Sequence, residues 1–314
     1  METVLIQSFI LLTGLALLYF GSFILVEGSA STAIMFAVRP VIVGLTIVSF
    51  ATSAPELLVS LVAAYKGSGG ISIGNILGSN VINIALVLGI SAVIRPVSIK
   101  RQVVMVEIPY MILISLVFWL LCIDSMIGRT DGIILIIFLM IFLIYGIFTA
   151  KDKSNEQTLK ENRSFTQILK NIFFIMAGIV MLAFGANFVV KEAIVIASQM
   201  GLSQTFIGIS VVALGTSLPE LATSAVAAAR GESDISVGNV VGSNLFNICL
   251  VMGVVGIFNP MAIDPALHWF EFPFMILISF ILGVTAFVKH GVNKPAGFFF
   301  IALFFVYIFV SYIK

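Results

Sequence analysis

Ten stretches of this chain are each long and apolar enough to cross a lipid bilayer, and no other feature constrains its fold as much. A helix needs about 20 predominantly apolar residues to span the hydrocarbon. Such runs fall near 5–27, 37–64, 71–95, 103–123 and 131–150, and again near 166–190, 204–229, 235–259, 269–289 and 295–313. With 60% of 314 residues hydrophobic, only 10% charged and a mean hydropathy of +1.19, a soluble domain could not hide this apolar surface. The expected class is an all-α polytopic membrane protein. The first run lacks a basic leader and a small-residue cleavage site, so it is expected to be span one and not a signal peptide.

Shifting the chain by 164 residues lays Gly44–Ile90 on Gly208–Val254 without a gap, and 24 of the 47 positions are identical. The same shift pairs Gly14, Leu18, Phe20 and Gly21 with Gly178, Leu182, Phe184 and Gly185, and Glu107, Pro109 and MILIS with Glu271, Pro273 and MILIS. The chain therefore divides into a first five-helix repeat (1–150), a polar linker (151–165) and a second five-helix repeat (166–314). An odd number of spans per half sends the second copy into the membrane from the opposite side. Inverted-topology repeats of this kind mark alternating-access carriers, although duplicated halves also occur in channels.

Lys and Arg placement predicts orientation. With the N-terminus outside, the inside loops hold Arg39, Arg95, Lys100, Arg101, Lys151, Lys153, Lys160, Arg163, Lys170, Arg230, Lys289 and Lys294, which is 12 of the 16 basic residues. Only Lys66, Arg129, Lys191 and Lys314 are left outside. Both termini are expected to be extracytoplasmic in a multi-pass cell-membrane protein, with the linker a solvated cytoplasmic loop. A net charge of +1 gives no reason to expect a nucleic-acid partner.

The polar residues inside the spans carry the functional signal. VSFATSAPELLVS (48–60) and VVALGTSLPELATS (211–224) each place hydroxyls, a proline and a carboxylate in an apolar run. One ionised side chain at the bilayer centre costs on the order of 3 kcal/mol, so Glu56 and Glu220 together cost roughly 6 kcal/mol unless something offsets it. The basic residues of the motif-bearing spans, Arg39 and Arg95, stand only at span ends away from the motifs, and a mobile cation is the natural partner. Pro55 and Pro219 are helix-breaking: lacking an N–H, they deprive Ala51 and Gly215 of a donor and free the neighbouring carbonyls of Thr52 and Thr216. Unpaired carbonyls are tolerated in hydrocarbon only where they line a cavity.

Asn75, Ser79 and Asn83 recur every fourth residue along span three, as do Asn239, Ser243 and Asn247 along span eight, so each set forms one polar stripe. Gly74 with Gly78, and Gly238 with Gly242, allow close helix packing. The stripes serve as interhelical glue, as ligands, or as both, with Asn83 and Asn247 nearest the carboxylates. Two bidentate carboxylates and two threonine carbonyls supply six oxygens, within the roughly 6–8 that calcium takes. A soft metal would want Cys or His, but His268 and His290 lie at span ends. Cys122 and Cys249 read as buried small hydrophobes rather than a disulfide.

These motifs, TS-x-PE and GN-xx-GSN-xx-N written twice, resemble those of the cation/Ca²⁺ exchanger superfamily, particularly the prokaryotic Na⁺/Ca²⁺ exchangers with two inverted α-repeats. The resemblance covers nearly the whole chain. It implies that Glu56 and Glu220 are shared calcium ligands, with the carbonyls of Thr52 and Thr216 completing the shell. It further implies that Ser53, Ser217, Ser79 and Ser243, with carbonyls near Ser49 and Ala213, line flanking sodium sites that Glu56 and Glu220 share. Asn83 and Asn247 would sit between them, and spans one and six would slide as a gating pair. Two departures matter. The first copy reads ATSAPE where the family usually has GTSLPE. Asn247 stands where several relatives, including the potassium-dependent branch, carry Asp, which predicts potassium independence.

The expected function is therefore antiport of several Na⁺ for Ca²⁺, without a cofactor and with the monomer as the working unit. An H⁺/Ca²⁺ exchanger is the alternative, disfavoured by the absence of GNAAEH-like acidic motifs. A cation channel is a rival from another class. An intramembrane enzyme lacks a Ser–Lys, paired-Asp or His-metal set. Glu107 and Glu271, in the outer third of spans four and nine, are expected to act as caps or interfacial groups.

Overall fold

Long apolar sequence in lipid folds to helix because only the helix satisfies its backbone polar groups internally. The computed structural model describes residues 2–150, 165–199 and 213–313. The linker and the opening of predicted span seven, 204–212, lie outside the described residues. The first half contains α1 (Glu2–Phe36), α2 (Pro40–Thr52), α3 (Ala54–Tyr65), α4 (Gly69–Ile94), α5 (Val103–Leu121) and α6 (Arg129–Thr149). The second contains α7 (Phe165–Gln199), α8 (Ala213–Thr216), α9 (Leu218–Arg230), α10 (Ser233–Phe258), α11 (Glu271–Lys289) and α12 (Lys294–Ile313). Among the described residues, eight helices are long and apolar enough to cross a membrane, or nine when α2 and α3, bent by 42° at their junction, count as one span. The protein is an all-helical polytopic membrane protein.

The centre of the bundle is the pair α4 and α10, each 83% buried, against 22–44% for the other spanning helices. Their polar stripes therefore face protein, while the apolar surfaces of helices such as α6 and α12 remain outside. Among the described residues, four two-residue strands, which hydropathy does not reveal, join the halves. Strand β1 (Val97–Ser98) pairs antiparallel with β4 (Gly291–Val292), and β2 (Met126–Ile127) pairs with β3 (Met261–Ala262). Each pair takes one strand from each half, so the loops of one repeat are anchored on the other.

Helices α1 and α7 lie against one another through glycine. A Cβ on Gly178 would come within 2.8 Å of Gly21 O, and one on Gly185 within 2.9 Å of Gly14 O. Both helices outrun their predicted ends of 27 and 190. The hydropathy of span one falls at Glu27, yet the helix continues to Phe36, because Glu27 is matched by Arg230 at 3.8 Å and Lys170 at 4.0 Å. Gly28 then packs on Asn171 O and Phe174 of α7.

Glu107, expected to be a cap or an interfacial group, sits at the N-cap position of the α-helical part of α5 without a side-chain cap hydrogen bond and is not at the surface. It is 1% exposed, ends a π-helical turn spanning Val103–Glu107, and faces Arg39 at 3.6 Å. Arg39 in turn donates from Nε to Thr149 O (2.9 Å), and its amide donates to Ala150 O (2.9 Å). One arginine thus ties the α1–α2 turn to the end of α6 and to α5. Removing one member of a buried ion pair strands the other charge, which typically costs about 3–5 kcal/mol. Arg39→Met is expected to destabilise the detergent-solubilised protein on that scale in denaturant unfolding, and adding Glu107→Gln is expected to restore most of the loss.

Candidate cation-binding site

The two TS-x-PE segments sit where the chain breaks helix and restarts it. The breaks fall at Ser53 (φ −81°, ψ 3°) and Ser217 (φ −85°, ψ 5°). This places them two residues before the prolines and not at them. Pro55 and Pro219 occupy the first turn of α3 and α9, where a missing N–H loses nothing and the fixed φ suits helix initiation. Glu56 and Glu220 follow in the same first turns, facing the partial positive charge of a helix N-terminus. The backbone ladder runs Ser53 N to Ser49 O (2.9 Å) and Leu57 N to Ser53 O (3.2 Å). Its counterpart runs Ser217 N to Ala213 O (3.3 Å) and Leu221 N to Ser217 O (3.0 Å). These bonds step over the carbonyls of Thr52 and Thr216 and take up those of Ser49 and Ala213.

Ser-x-Pro-Glu has the spacing of a capping box, in which the serine would bond its own helix start. Here neither serine caps its own helix. Ser53 Oγ instead donates to Glu220 Oε1 at 3.4 Å, and Ser217 Oγ to Glu56 Oε1 at 3.3 Å. The threonines cross over in the same way. Thr52 Oγ1 donates to Asn239 Oδ1 (3.1 Å) and Thr216 Oγ1 to Asn75 Oδ1 (3.2 Å). Those asparagines are oriented from behind, since Asn239 Nδ2 donates to Ser224 Oγ (2.9 Å) and Asn75 Nδ2 to Ser60 Oγ (3.1 Å). Ser243 Oγ lies 3.3 Å from Thr52 Oγ1. Ser49 Oγ turns away to Gly44 O at 2.7 Å, also lying 3.1 Å from Asn239 O.

Asn83 and Asn247 open onto π-helical turns, Asn83–Leu88 and Phe246–Met252, a local widening often found at functional sites. Their amide nitrogens are spoken for: Asn83 Nδ2 donates to Asn244 Oδ1 (3.1 Å) and Asn247 Nδ2 to Asn80 Oδ1 (3.3 Å). Asn80 and Asn244 were missed by the every-fourth-residue stripe. Their signal was the GSN-xx-N spacing, since residues three apart also share a helix face.

Glu56, Glu220, Asn83, Asn247 and Ser79 are all 0% exposed. Glu56 Oε2, Glu220 Oε2, Asn83 Oδ1, Asn247 Oδ1 and Ser79 Oγ have no hydrogen-bond partner among the described residues. Four of these five atoms can only accept, so four buried lone-pair oxygens are met by no protein donor among the described residues. The ion pairs among the described residues involve neither glutamate. No cluster of three or more His, Cys, Asp or Glu exists among those residues, which leaves carboxylate, amide, hydroxyl and carbonyl oxygens. Such a donor set suits a hard cation and not a soft one.

An all-helical polytopic membrane protein with a buried, oxygen-lined centre is the class that fold and geometry define. The sequence profile of the sodium/calcium exchanger protein family matches residues 6–148 and 170–313. The chain is 33% identical to inner membrane protein YrbG of Escherichia coli over 89% of its own length and 88% of that protein's. It is 29% identical to sodium/calcium exchanger MaX1 of Methanosarcina acetivorans over 88% and 90%. A solved structure of the sodium-calcium exchanger NCX_Mj, soaked with 10 mM Na⁺ and no Ca²⁺, superposes with a TM-score of 0.86 at 31% identity, covering 97% of this chain and 98% of that one. The chain belongs to the sodium/calcium exchanger family.

Asn80→Ala leaves Asn247 Nδ2 buried without an acceptor, and a stranded buried donor costs about 1–3 kcal/mol. Its midpoint in denaturant unfolding is expected to fall accordingly, while replacing the exposed Lys66 by Ala leaves it unchanged.

Proposed function

We propose that this protein is a secondary antiporter that moves Ca²⁺ in exchange for several Na⁺ by alternating access, without a requirement for K⁺. The observation that carries this reading is the pair of fully buried glutamates, each with one oxygen lacking a partner and neither in an ion pair among the described residues. Family membership supports exchange of Ca²⁺ against another cation, in a family of transporters and not of enzymes. In this reading Glu56 and Glu220, with the carbonyls of Thr52 and Thr216, hold calcium. Ser53, Ser217, Ser79, Ser243, Asn83, Asn247 and the backbone near Ser49 and Ala213 contribute to flanking sodium sites.

Charge explains why such a site exchanges and does not leak. Two carboxylates, formally −2, are neutralised by one Ca²⁺ or by two or more Na⁺ drawing on the same oxygens. A neutral loaded site can cross a closed apolar barrier, whereas a bare −2 site pays the desolvation of an uncompensated charge. Asn247, an amide, leaves only two carboxylates to balance, which is the basis for potassium independence. Any sodium charge beyond two makes the cycle electrogenic.

The same proposal assigns ten spans in two inverted five-helix repeats joined by a cytoplasmic linker, with both termini outside and a functional monomer. It also assigns the access direction. At one end of α1, Arg230 of α9 donates to Phe23 O (3.2 Å), lies over the Phe23 ring (4.4 Å) and pairs with Glu27 (3.8 Å). The residues related to Arg230 and Glu27 by the 164-residue shift are Lys66 and Lys191, both basic, so this acid–base pairing has no sequence counterpart in the other half. A cavity of about 340 Å³ lies between α3 and α7, lined by Leu58, Val59, Ile179 and Leu182 and reaching Pro55, Thr216 and Pro219. These features support a conformation closed on the Arg230 side and open on the Lys66 side.

In proteoliposomes, Glu220→Gln is expected to abolish Na⁺-gradient-driven ⁴⁵Ca²⁺ uptake. Uptake by the unaltered protein is expected to be the same whether K⁺ or choline is present. Wild-type flux in the variant would remove Glu220 from the mechanism, and uptake driven equally by a proton gradient would replace Na⁺ with H⁺.

A further inference from the structure

A second feature lies on the outer surface, away from the ion site. Helices α5 and α11 run side by side, and two cavities of about 330 and 450 Å³ open along their seam. They share Val104, Met105 and Phe287 and so form one continuous groove. Its deeper part is wholly apolar, running past Ile108, Ile112 and Phe280. Its other end is bounded by Arg101 and His290. The rims are exposed, with Phe280 at 58% and Phe287 at 62%, in helices that cross the membrane.

The basic end is a product of tertiary structure. The β1–β4 pairing and the bond from Ile99 N to His290 O (3.0 Å) bring Arg101 beside His290 from 189 residues away. Lys100 is engaged by Asp234 at 2.6 Å. Arg101 has no acidic partner among the described residues, and Lys289 adds a further exposed cation next to His290.

The other half of the chain provides an internal comparison. The residue equivalent to Gly283 in the 164-residue shift is Trp119. Its indole donates from Nε1 to His268 Nδ1 (3.0 Å) and stacks on Phe272, with centroids 6.3 Å apart. At Gly283, by contrast, a Cβ would already touch Ile112 and Ile108 at 3.4 and 3.5 Å, so a side chain there would fill the groove. The equivalents of the basic residues are Pro265 for Arg101 and, by its place before the strand and its left-handed backbone (φ 59° against 52°), Ser125 for His290. At the related end of the α5–α11 pair, Trp119 stands where the groove has Gly283, and neither cation has a basic counterpart.

We propose that this groove binds an anionic phospholipid, an acyl chain lying along the Gly283 seam and the phosphate meeting Arg101 and His290. The apolar length selects a lipid over a free anion. The unpaired guanidinium selects an anionic headgroup over a zwitterionic one, as basic pockets between membrane helices do. Binding would attach α5 and α11 to the surrounding leaflet and is independent of which ions are transported.

Native mass spectrometry of the full-length protein, titrated with phosphatidylglycerol or phosphatidylcholine of the same chain length, tests this. Each basic residue near the membrane surface contributes roughly fivefold to the binding of anionic lipid, so phosphatidylglycerol is expected to be preferred by at least that factor. Arg101→Gln with His290→Gln is expected to bring the two lipids level. Gly283→Trp, which imports the side chain of the other half, is expected to reduce binding of both lipids while ⁴⁵Ca²⁺ uptake persists. Equal binding of the two lipids by the unaltered protein would overturn the proposal. So would a preference that survives the double substitution, or displacement of the lipid by millimolar inorganic phosphate. The double variant changes only exposed side chains, so it decides the question even if Gly283→Trp fails to fold.

Discussion

Two carboxylates held at the middle of an apolar bundle without a basic residue to neutralise them are the constraint on which the rest of this structure depends. Each would be prohibitive alone in hydrocarbon. They are made tolerable locally by placement in the first turns of α3 and α9, by hydroxyl donors from the opposite half, and by exclusion of lipid behind α4 and α10. None of these supplies a full positive charge. In the proposed function, a bound cation offsets the remaining imbalance.

The reciprocity of the contacts has a mechanical consequence. Ser53 serves Glu220 and Ser217 serves Glu56, while Thr52 and Thr216 are held by Asn239 and Asn75. Neither half owns a complete site, so a movement that shifts one broken helix alters the coordination offered by the other. The strand pairs tie loops of one half to loops of the other, and the Arg39–Glu107 contact ties the α1–α2 turn to α5. Helices α1 and α7 approach closely at glycine, each glycine receiving side chains of the other helix such as Leu25 on Gly178 and Met181 on Gly21.

Much of this was legible in the residues. The apolar runs, the 164-residue repeat and the doubled TS-x-PE motif locate the spans and place Glu56 beside Glu220. The misreadings share a cause, because each rests on what lies across the interface. Hydropathy ends span one at Glu27, but Arg230 and Lys170 carry the helix past it. Glu107 reads as interfacial until Arg39 is seen beside it. Pro55 and Pro219 read as breaking their helices in place, whereas they begin new helices after breaks at Ser53 and Ser217. Asn80 and Asn244 fall off a stripe drawn at intervals of four, yet they hold the amides of Asn247 and Asn83.

The sequence by itself determined that the chain crosses a membrane many times, that its halves are copies, and that carboxylates and amides recur at matched depth. These follow from transfer energies and periodicity, which are properties of residues in order. Only the tertiary structure decided which oxygens lack partners, which serine serves which glutamate, and that Arg101 and His290 share one groove. Those depend on pairing between residues more than 150 positions apart, and local propensity has no knowledge of a partner that arrives from the other half.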